Sequence, residues 1–265
     1  MTTYQEKVIW ITGASSGLGR ALALELSARK ARLILSSRRA DQLEEVSKAC
    51  PDSEVFVLPL DLEATDSLAD KAGQAIARFG RIDILIHNAG ISQRARAVDS
   101  SFTVVQKVMN TNFLGSVALT GAVLPAMIRQ GGGRVVVVSS LASKFGAPLR
   151  SAYNASKKAL HGYYEALRVE SYDQNIRVTM VVPGFVNTEI SRHALLADGS
   201  SNDRLSPHQA HGRDPRTCAR KILRGVAGGR REIRVAYGLK GYAISTLKIF
   251  FPRLLERILR SVKTD

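Results

Sequence analysis

The stretch VIWITGASSGLGRALALEL, residues 8–26, joins a short apolar run to a glycine cluster and then to a second apolar run. The first run ends at Thr12, and the glycines Gly13, Gly17 and Gly19 follow with the spacing G-x-x-x-G-x-G. Glycine permits a positive φ and close backbone approach, and the start of a helix offers free N–H groups and a positive dipole end. The stretch therefore predicts a strand, a tight turn and a helix that can cradle a pyrophosphate. A glycine-rich turn without a ligand remains the alternative.

The rest of the chain alternates between strand-like and helical patterns. Seven short stretches rich in Val, Ile and Leu are predicted as strands: Lys7–Thr12, Ala31–Ser36, Glu54–Leu60, Ile82–His87, Arg134–Ser140, Ile176–Val182 and Glu232–Ala236. Helical patterns lie between them at Leu18–Lys30, Asp66–Phe79, Val98–Arg129, Ser151–Asp173 and Asp214–Val226. This alternation is typical of a parallel sheet covered on both faces, and right-handed crossovers make it doubly wound. We therefore predict an α/β fold of the Rossmann type with a seven-stranded parallel sheet.

No internal repeat or long linker divides the chain, so we predict a single domain over residues 1–238 and a basic amphipathic C-terminal tail over residues 239–265. The stretch 213–265 contains 14 Lys or Arg and 4 Asp or Glu, so it carries +10 of the net charge of +15. The remaining residues are nearly balanced in charge and contain no aromatic-rich basic groove. This distribution argues against nucleic acid as the partner.

Cysteine usage and the N-terminus predict the compartment. Cys50 and Cys218 lie far apart in no metal-ligand or paired spacing, which favours a reducing compartment. Residues 1–10 lack the features of a signal peptide, and no uninterrupted apolar run approaches the roughly 20 residues of a spanning helix. We expect a soluble cytoplasmic protein whose 45% apolar residues build a sizeable core.

The end of the second predicted strand indicates which dinucleotide fits the turn. An NAD site needs an acid there for the ribose 2′-hydroxyl. This chain has Ser37, Arg38 and Arg39 at that place and no acid before Asp41. Guanidinium groups match a phosphate in charge and geometry, so the pattern favours NADP(H). The alternative is that both arginines are merely solvated, and Arg39 in particular turns away.

Several dispersed motifs follow the glycine turn along the chain. They are Asp61, Asn88–Gly90, Asn112, Ser140, the pair Tyr153 and Lys157, and Pro183–Gly184. Together with residues 12–19, they resemble the short-chain dehydrogenase/reductase family in content and order over almost the whole chain. The text around RSAYNASK, PGFVNTEIS and ADGS is similar to the family's member 7B branch, near the 11β-hydroxysteroid dehydrogenases.

The resemblance implies four catalytic residues. Tyr153 would protonate a carbonyl oxygen while NADPH delivers hydride, and the reverse reaction would oxidise an alcohol. At an effective dielectric near 20, a charge about 4 Å away is worth roughly 4 kcal/mol, or about three pK units. We therefore expect Lys157, one helical turn on, to lower the pKa of the phenol. Ser140 would donate to the oxyanion, and its neighbour Ser139 is expected to face the opposite way.

Asn112 would hold a water that relays protons to Lys157, or else satisfy only local backbone groups. The other implied contacts are with the cofactor: Asp61 and Leu62 would meet the adenine, and Val186 and Thr188 the nicotinamide carboxamide. The full predicted cofactor set is Gly13, Ser15, Ser16, Gly17, Leu18, Gly19, Ser37, Arg38, Arg39, Asp61, Leu62, Asn88, Ala89, Gly90, Tyr153, Lys157, Pro183, Gly184, Val186 and Thr188.

His87 departs from the family pattern, which usually has asparagine there. Because it ends a buried strand, we expect a hydrogen-bonded core histidine and not a catalytic base. The other histidines are not at ligand spacing with carboxylates or cysteines, so we predict no metal. They are His161, His193, His208 and His211.

The resemblance places the substrate pocket after Ser140 and after Pro183. Besides Ser140 and Tyr153, the predicted pocket side chains are Leu141, Phe145, Phe185, Ile190, Leu195 and Leu196. They suggest an apolar ketone or aldehyde, or the corresponding alcohol. Residues 187–213 include the polar stretch 197–213, so we expect this segment to form a mobile lid.

The C-terminal tail has apolar side chains at helical spacing with basic residues among them. The apolar set is Leu247, Phe250, Phe251, Leu254, Leu255, Ile258, Leu259 and Val262, and the basic set is Lys248, Arg253, Arg257, Arg260 and Lys263. This pattern predicts a helix that makes peripheral contact with an anionic membrane. Packing against the body of the protein or a second subunit is the alternative.

Two function classes remain open on the sequence. One is an NADP(H)-dependent oxidoreductase, which the intact catalytic residues favour. The other is a noncatalytic NADP(H)-binding sensor or scaffold. By resemblance we also expect a homodimer or homotetramer formed through Val98–Arg129 and Ser151–Asp173.

Overall fold

Seven parallel strands form one sheet in the computed structural model, which describes residues 4–261. The strands are β1 Val8–Thr12, β2 Arg32–Ser36, β3 Val55–Val57, β4 Ile84–His87, β5 Gly133–Val138, β6 Ile176–Pro183 and β7 Glu232–Val235. Their order across the sheet is β3-β2-β1-β4-β5-β6-β7. The predicted seven-stranded parallel sheet is confirmed. The strand order reverses between β1 and β4, so their carboxyl ends open a crevice.

Helices cover both faces of the sheet. They are α1 Gly17–Ser27, α2 Ala40–Lys48, α3 Leu68–Phe79, α4 Phe102–Met109, α5 Gly115–Arg129, α6 Ser151–Glu170, α7 Pro207–Ala210, α8 Pro215–Ala227, α9 Gly238–Phe250 and α10 Pro252–Ser261. Ile9 and Ile11 pack with α1 and α8, whereas Trp10 packs in the core that α3, α5 and α6 cover. Burial on both faces explains the continuous apolar strands. Helix α2 was not predicted, because only Leu43 and Val46 of its nine residues are buried.

The helix predicted over Val98–Arg129 has three parts. It begins at Phe102, becomes a π-helix over Asn110–Leu114, and continues as α5 from Gly115. Short π-helical segments inside α-helices are frequent at functional sites. Asn112 lies within this one.

Two strands end at least two residues before their predicted ends. β3 covers Val55–Val57 instead of Glu54–Leu60, since it is an edge strand that pairs only with β2. β5 ends at Val138, two residues before the predicted end at Ser140. Ser140 and the residue before it therefore lie beyond the strand, where alternation no longer decides which way a side chain faces.

One helical run in residues 4–261, Phe102–Arg129, is long and apolar enough to cross a membrane by length and composition alone. Its mean hydropathy is 1.5, and 44% of the apolar window is buried inside the protein. Leu119, Val123 and Met127 of this run are fully buried in the core that also holds Trp10. We therefore interpret the run as a core helix.

The C-terminal tail forms two helices, because Pro252 cannot continue α9 and instead starts α10. Leu255 packs with Tyr237 in a cluster that also includes Leu247 and Leu259. The inner face of the tail therefore packs against the body of the protein, which is the alternative that the sequence left open. The opposite surface is exposed. Val262 and Lys263, which belong to the predicted pattern, lie outside the described residues.

Candidate active site

A cleft lies at the carboxyl ends of β1, β4, β5 and β6, where the strand order reverses. Every predicted cofactor residue lines this cleft except Gly19, and so do the predicted catalytic residues Ser140, Tyr153 and Lys157. The fourth, Asn112, lies just behind the wall, where its neighbour Thr111 faces the cleft. The sheet therefore gathers predicted residues from seven separate parts of the sequence, which are 13–18, 37–39, 61–62, 88–90, 140, 153–157 and 183–188.

The glycine turn closes one end of the cleft. Gly13 and Gly17 have φ of +65° and +53°, which is the left-handed region that side chains disfavour. A Cβ on Gly19 would lie 2.1 Å from the carbonyl oxygen of Gly13, so this glycine lets α1 pack on the turn and does not face the cleft. Asn88 Nδ2 donates to the carbonyl oxygens of Thr12 at 3.1 Å and Gly13 at 3.0 Å. The turn is therefore fixed from the end of β4.

Two exposed arginines follow β2 beside this turn. Arg39 Nη2 donates to Ser15 Oγ at 3.1 Å, and its backbone N–H donates to Ser37 Oγ at 3.2 Å. The alternative that Arg39 turns away is therefore wrong. Arg38 also lines the cleft, so two guanidinium groups lie at this end.

The two serines after β5 both lie in the cleft wall. Ser140 Oγ accepts a hydrogen bond from the Ala142 N–H at 3.1 Å and also forms a hydrogen bond with the Tyr153 side chain. Ser139 was expected to face the opposite way from Ser140, and its side chain is buried against α6. Its hydroxyl donates to the carbonyl oxygen of Lys157 at 3.1 Å and lies 3.1 Å from His161 Nε2. Ser139 is thus occupied by contacts with α6.

Tyr153 lies in the first turn of α6 with 7% of its surface exposed. Burial raises the pKa of its phenol, while the hydrogen bond with Ser140 and the charge of Arg150 lower it. The sequence predicted a lowered pKa caused by Lys157. The direction is opposite here because lost hydration outweighs the nearby charges. The sequence reasoning missed Arg150, because this residue lies just before α6 and helical spacing gives no signal for it.

Lys157 lies one turn further along α6 and is almost fully buried. Its Nζ donates to the carbonyl oxygen of Val138 at 3.0 Å and lies 5.8 Å from the centre of the Tyr153 ring. Burial lowers the pKa of this amine to about 8. A Cβ on Gly90 would lie 3.2 Å from Nζ, so glycine keeps the amine accessible from the end of β4.

Asn112 uses its side-chain amide within the protein. Nδ2 donates to the carbonyl oxygen of Ile91 and to Ser156 Oγ, each at 2.9 Å, and Oδ1 accepts from the Ile91 N–H at 2.8 Å. The amide therefore joins the segment after β4 to α6. This geometry supports the local-backbone alternative for its side chain.

The sequence from residue 7 to residue 197 matches the family model described as short chain dehydrogenase. The chain belongs to the short-chain dehydrogenase family. It is therefore placed among the oxidoreductases, and the predicted family is confirmed.

A relative and two solved structures illustrate the similarity. The dehydrogenase/reductase SDR family member 7B of Bos taurus is 39% identical over 262 residues, which cover 96% of this chain and 80% of that protein. A short chain dehydrogenase/reductase from Burkholderia phymatum, solved in complex with NAD, has a TM-score of 0.84 at 22% identity and covers 96% of both chains. An alcohol dehydrogenase from the archaeon Thermococcus sibiricus, complexed with 5-hydroxy-NADP, has a TM-score of 0.74 at 26% identity, covering 86% of this chain and 95% of that one. The resemblance to the 7B branch is confirmed, and the first structure supports the fold.

His87, where this family usually has asparagine, is a buried core residue. Its Nε2 lies 2.7 Å from Thr120 Oγ1, which in turn lies 2.8 Å from the Tyr164 hydroxyl. Burial lowers the pKa of His87 to about 3. The prediction of a hydrogen-bonded core histidine is confirmed.

The remaining histidines have separate surroundings. His161 lies 3.1 Å from Ser143 Oγ and 3.2 Å from Glu165 Oε1, and His193 is exposed at the cleft mouth. Within the described part of the chain, residues 4–261, no group of three His, Cys, Asp or Glu side chains could hold a metal ion.

Two predicted substrate side chains serve the core instead. Leu141 and Phe145 are buried in the cluster with Tyr237 and Leu255, beneath the tail helices. Their expected place on the pocket wall is therefore corrected. The tail supports the segment that follows Ser140.

The segment after β6, which includes the predicted lid at 187–213, contributes both predicted and unpredicted side chains. Ile190 lines the cleft as predicted, while Phe185 is half exposed and its ring centre lies 5.1 Å from that of His208. Leu195 packs against α4 and α6, and Leu196 is half-buried within the lid. Four polar lid residues that the sequence reasoning missed also line the cleft: Glu189, His193, Ser201 and Gln209. The polar composition of residues 197–213 could have indicated polar groups in the cleft wall, but the sequence reasoning interpreted that composition only as mobility.

Proposed function

We propose that this short-chain dehydrogenase depends on NADP(H) and interconverts a ketone or aldehyde with the corresponding alcohol, with Tyr153 as acid and base. One observation carries the proposal. The buried phenol of Tyr153, the hydroxyl of Ser140 and the amine of Lys157 meet in the same cleft as the glycine turn. A site for a dinucleotide and a proton donor therefore share one space.

The residues present fit a dinucleotide. Gly13 and Gly17 adopt the left-handed backbone of a phosphate cradle. Within residues 4–261, the Thr111 hydroxyl is enclosed in the cleft wall without a hydrogen-bond partner, so it can serve a polar ligand. Arg38 and Arg39 stand where a 2′-phosphate would lie, which supports NADP(H) over NAD(H). When bound, the nicotinamide would exchange a hydride with the reacting carbon.

The protein's own groups would manage the proton and the oxygen charge. In reduction, the Tyr153 hydroxyl gives its proton to the carbonyl oxygen, and the Ser140 hydroxyl donates a hydrogen bond to the same oxygen. With a pKa of about 8, Lys157 is mostly cationic at neutral pH. Its charge stabilises the tyrosinate that remains until a proton returns. In oxidation, the same tyrosinate accepts the alcohol proton.

The cleft walls support a substrate that is apolar near the reacting carbon. Ile91, Val138 and Ile190 line the cleft, and the polar lid residues lie around them. We propose an apolar ketone or aldehyde, or its alcohol, whose outer end meets polar groups.

The test is NADPH consumption across a panel of apolar ketones and aldehydes, compared between the wild type and Tyr153→Phe. We expect reduction by the wild type and a loss of about 100- to 10,000-fold in kcat for the variant, with NADPH affinity retained. If both proteins bind NADPH and neither reduces any substrate, the noncatalytic sensor is the better description.

The outer tail surface supports a cytoplasmic protein that contacts membranes peripherally. We define this surface as Lys248, Ile249, Phe250, Phe251, Arg253, Leu254, Arg257, Ile258 and Arg260, all of which are exposed. Its apolar side chains would enter the headgroup region while its basic ones meet anionic lipid.

Vesicle sedimentation tests this location. We expect Phe250→Ser/Phe251→Ser to pellet less than the wild type with anionic vesicles, because both rings are exposed and their loss leaves the inner face intact. Deleting the tail would also uncover the cluster around Tyr237, so point variants are the cleaner test. Equal pelleting of both proteins would contradict membrane contact.

We also propose a homodimer or homotetramer formed through α4–α6. Phe102, Leu114 and Val169 are exposed apolar side chains on these helices. Light scattering measures the molar mass of the wild type and of Phe102→Glu/Val169→Glu. We expect a dimer or tetramer for the wild type and a smaller mass for the variant. A wild type with the mass of a monomer would exclude the proposed oligomer.

A further inference from the structure

The lid places a glutamine side chain inside the cleft. Gln209 belongs to the one-turn helix α7, lines the cleft, and has only 8% of its surface exposed. Within residues 4–261, its Oε1 is fully enclosed and has no hydrogen-bond partner. Buried carbonyl oxygens nearly always accept a hydrogen bond. Since Gln209 contributes to the cleft wall, a ligand that donates a hydrogen bond there would satisfy this oxygen.

Backbone contacts fix Gln209 beside the segment that follows β6. The Gly212 N–H donates to the Gln209 carbonyl oxygen at 3.0 Å. A Cβ on Gly212 would lie 2.7 Å from the backbone of both Val186 and Asn187, so only glycine allows this close approach. The Asn187 N–H in turn donates to the Arg213 carbonyl oxygen at 3.0 Å. The position of Gln209 is thus coupled to the backbone at Val186.

A second contact anchors the start of α7. The Ser206 N–H donates to Ser191 Oγ at 2.9 Å, and the Gln209 N–H donates to the Ser206 carbonyl oxygen at 2.9 Å. The enclosed amide is therefore held by its backbone at both ends of the helix. The backbone that carries the side chain is therefore fixed before any ligand arrives.

We propose that Gln209 Oε1 accepts a hydrogen bond from an N–H of the nicotinamide carboxamide and so positions the ring. The inference rests on the proposed function, in which Val186 and Thr188 hold the same carboxamide. The carboxamide NH₂ group needs acceptors, and Gln209 offers one that no described protein group uses. A substrate hydroxyl has the same donor chemistry, and the experiment separates the two sources.

Calorimetric titration of Gln209→Met with two ligands tests the assignment. One ligand is NADPH, and the other is 2′-phospho-ADP-ribose, which lacks the nicotinamide. We expect the Kd for NADPH to rise about tenfold and the Kd for the fragment to stay the same, because one hydrogen bond is lost from the ring alone. Gln174→Met is the matched control, since Gln174 is exposed in the loop after α6, and both of its Kd values should equal those of the wild type.

Thermal unfolding of the ligand-free proteins separates binding from a structural role. Methionine removes an enclosed oxygen that has no partner, so the Tm of Gln209→Met should stay constant or rise by about 2–4 °C. A lower Tm, equal weakening of both ligands, or an unchanged Kd for NADPH would overturn the proposal. A change confined to the KM of the carbonyl substrate would assign Oε1 to the substrate and overturn it as well. If the wild type binds neither ligand, the proposed function itself fails.

Discussion

The two ends of the cleft differ in how the chain builds them. At the cofactor end, the glycine turn, Arg38–Arg39 and Asn88–Gly90 each follow directly after a strand, so the parallel sheet alone brings them together. At the lid end, Gln209 and the tail helices come from segments far along the chain from the strands that they meet. The tail packs against Leu141 beside the site. Substitutions at the first end should therefore change binding or chemistry with little loss of stability. At the second end, substitutions in the tail helices should act through packing.

After Tyr153→Phe, the largest effect is expected at Ser140, where the two ends meet. Ser140→Ala removes a donor to the oxygen that becomes charged, so kcat should fall about 100- to 1,000-fold, equivalent to roughly 2.7–4 kcal/mol. The free energy of unfolding should fall by only about 1 kcal/mol, because Ser140 Oγ also accepts a hydrogen bond from the Ala142 N–H. Steady-state kinetics and urea unfolding of the same preparation measure both quantities.

Ser139→Ala is the matched control, since its hydroxyl donates to the Lys157 carbonyl oxygen. It should cost about 1 kcal/mol of stability and leave kcat within a few-fold. If Ser139→Ala reduced kcat more than Ser140→Ala, the assignment of the two serines would be reversed.

The next effect tests the packed end through two residues of α10. Leu255 is 2% exposed and Ile258 is 42% exposed. Leu255→Ala should reduce the free energy of unfolding by about 2–3 kcal/mol, because its partly exposed neighbours can close some of the cavity. Ile258→Ala should change it by less than about 0.5 kcal/mol. Equal effects in chemical denaturation would show that the tail does not support the body.

The sheet, most of its helices and the cofactor end were predictable because each depends on local patterns. The glycines after the first strand and the arginine pair after the second can be interpreted from their neighbours in sequence alone. The place of Leu141 and Phe145 was not predictable, since it depends on a tail about a hundred residues later that competes for the same apolar surface.

Tyr153 shows the same limit at smaller scale. The direction of the Tyr153 pKa shift failed because spacing reveals nearby charges but not the extent of burial. The enclosed oxygen of Gln209 depends on lid packing that no motif marks.

A third prediction concerns the core beneath the cleft. Burial lowers the pKa of His87 to about 3 from an ordinary 6.5, so folding holds the ring neutral. The unfolded chain binds the additional proton below pH 6.5, and stability from this group is present above that pH and lost as the pH falls toward 3. At pH 5 the loss should be about 2 kcal/mol.

His87→Asn, the residue that the family usually has there, is the comparison protein for this pH effect. Thr120 and Tyr164, the hydrogen-bonded neighbours, do not titrate in that range. Urea unfolding at pH 7 and pH 5 should show a smaller decrease for the variant than for the wild type. Parallel decreases would mean that His87 is not held neutral.

The smallest effect sharpens the comparison from the cofactor end. Arg38→Gln should raise the Kd for NADPH about tenfold, or roughly 1.4 kcal/mol, because Arg39 remains to meet the phosphate. NADH lacks the 2′-phosphate, so its Kd should stay constant. Since Arg38 is exposed and follows its strand directly, the free energy of unfolding should change by less than about 0.5 kcal/mol. Arg129→Gln, an exposed arginine at the end of α5, controls for net charge and should alter neither Kd. Equal weakening of both dinucleotides would show that Arg38 acts through the general field of the cleft, and that this end also depends on more than the residues beside each strand.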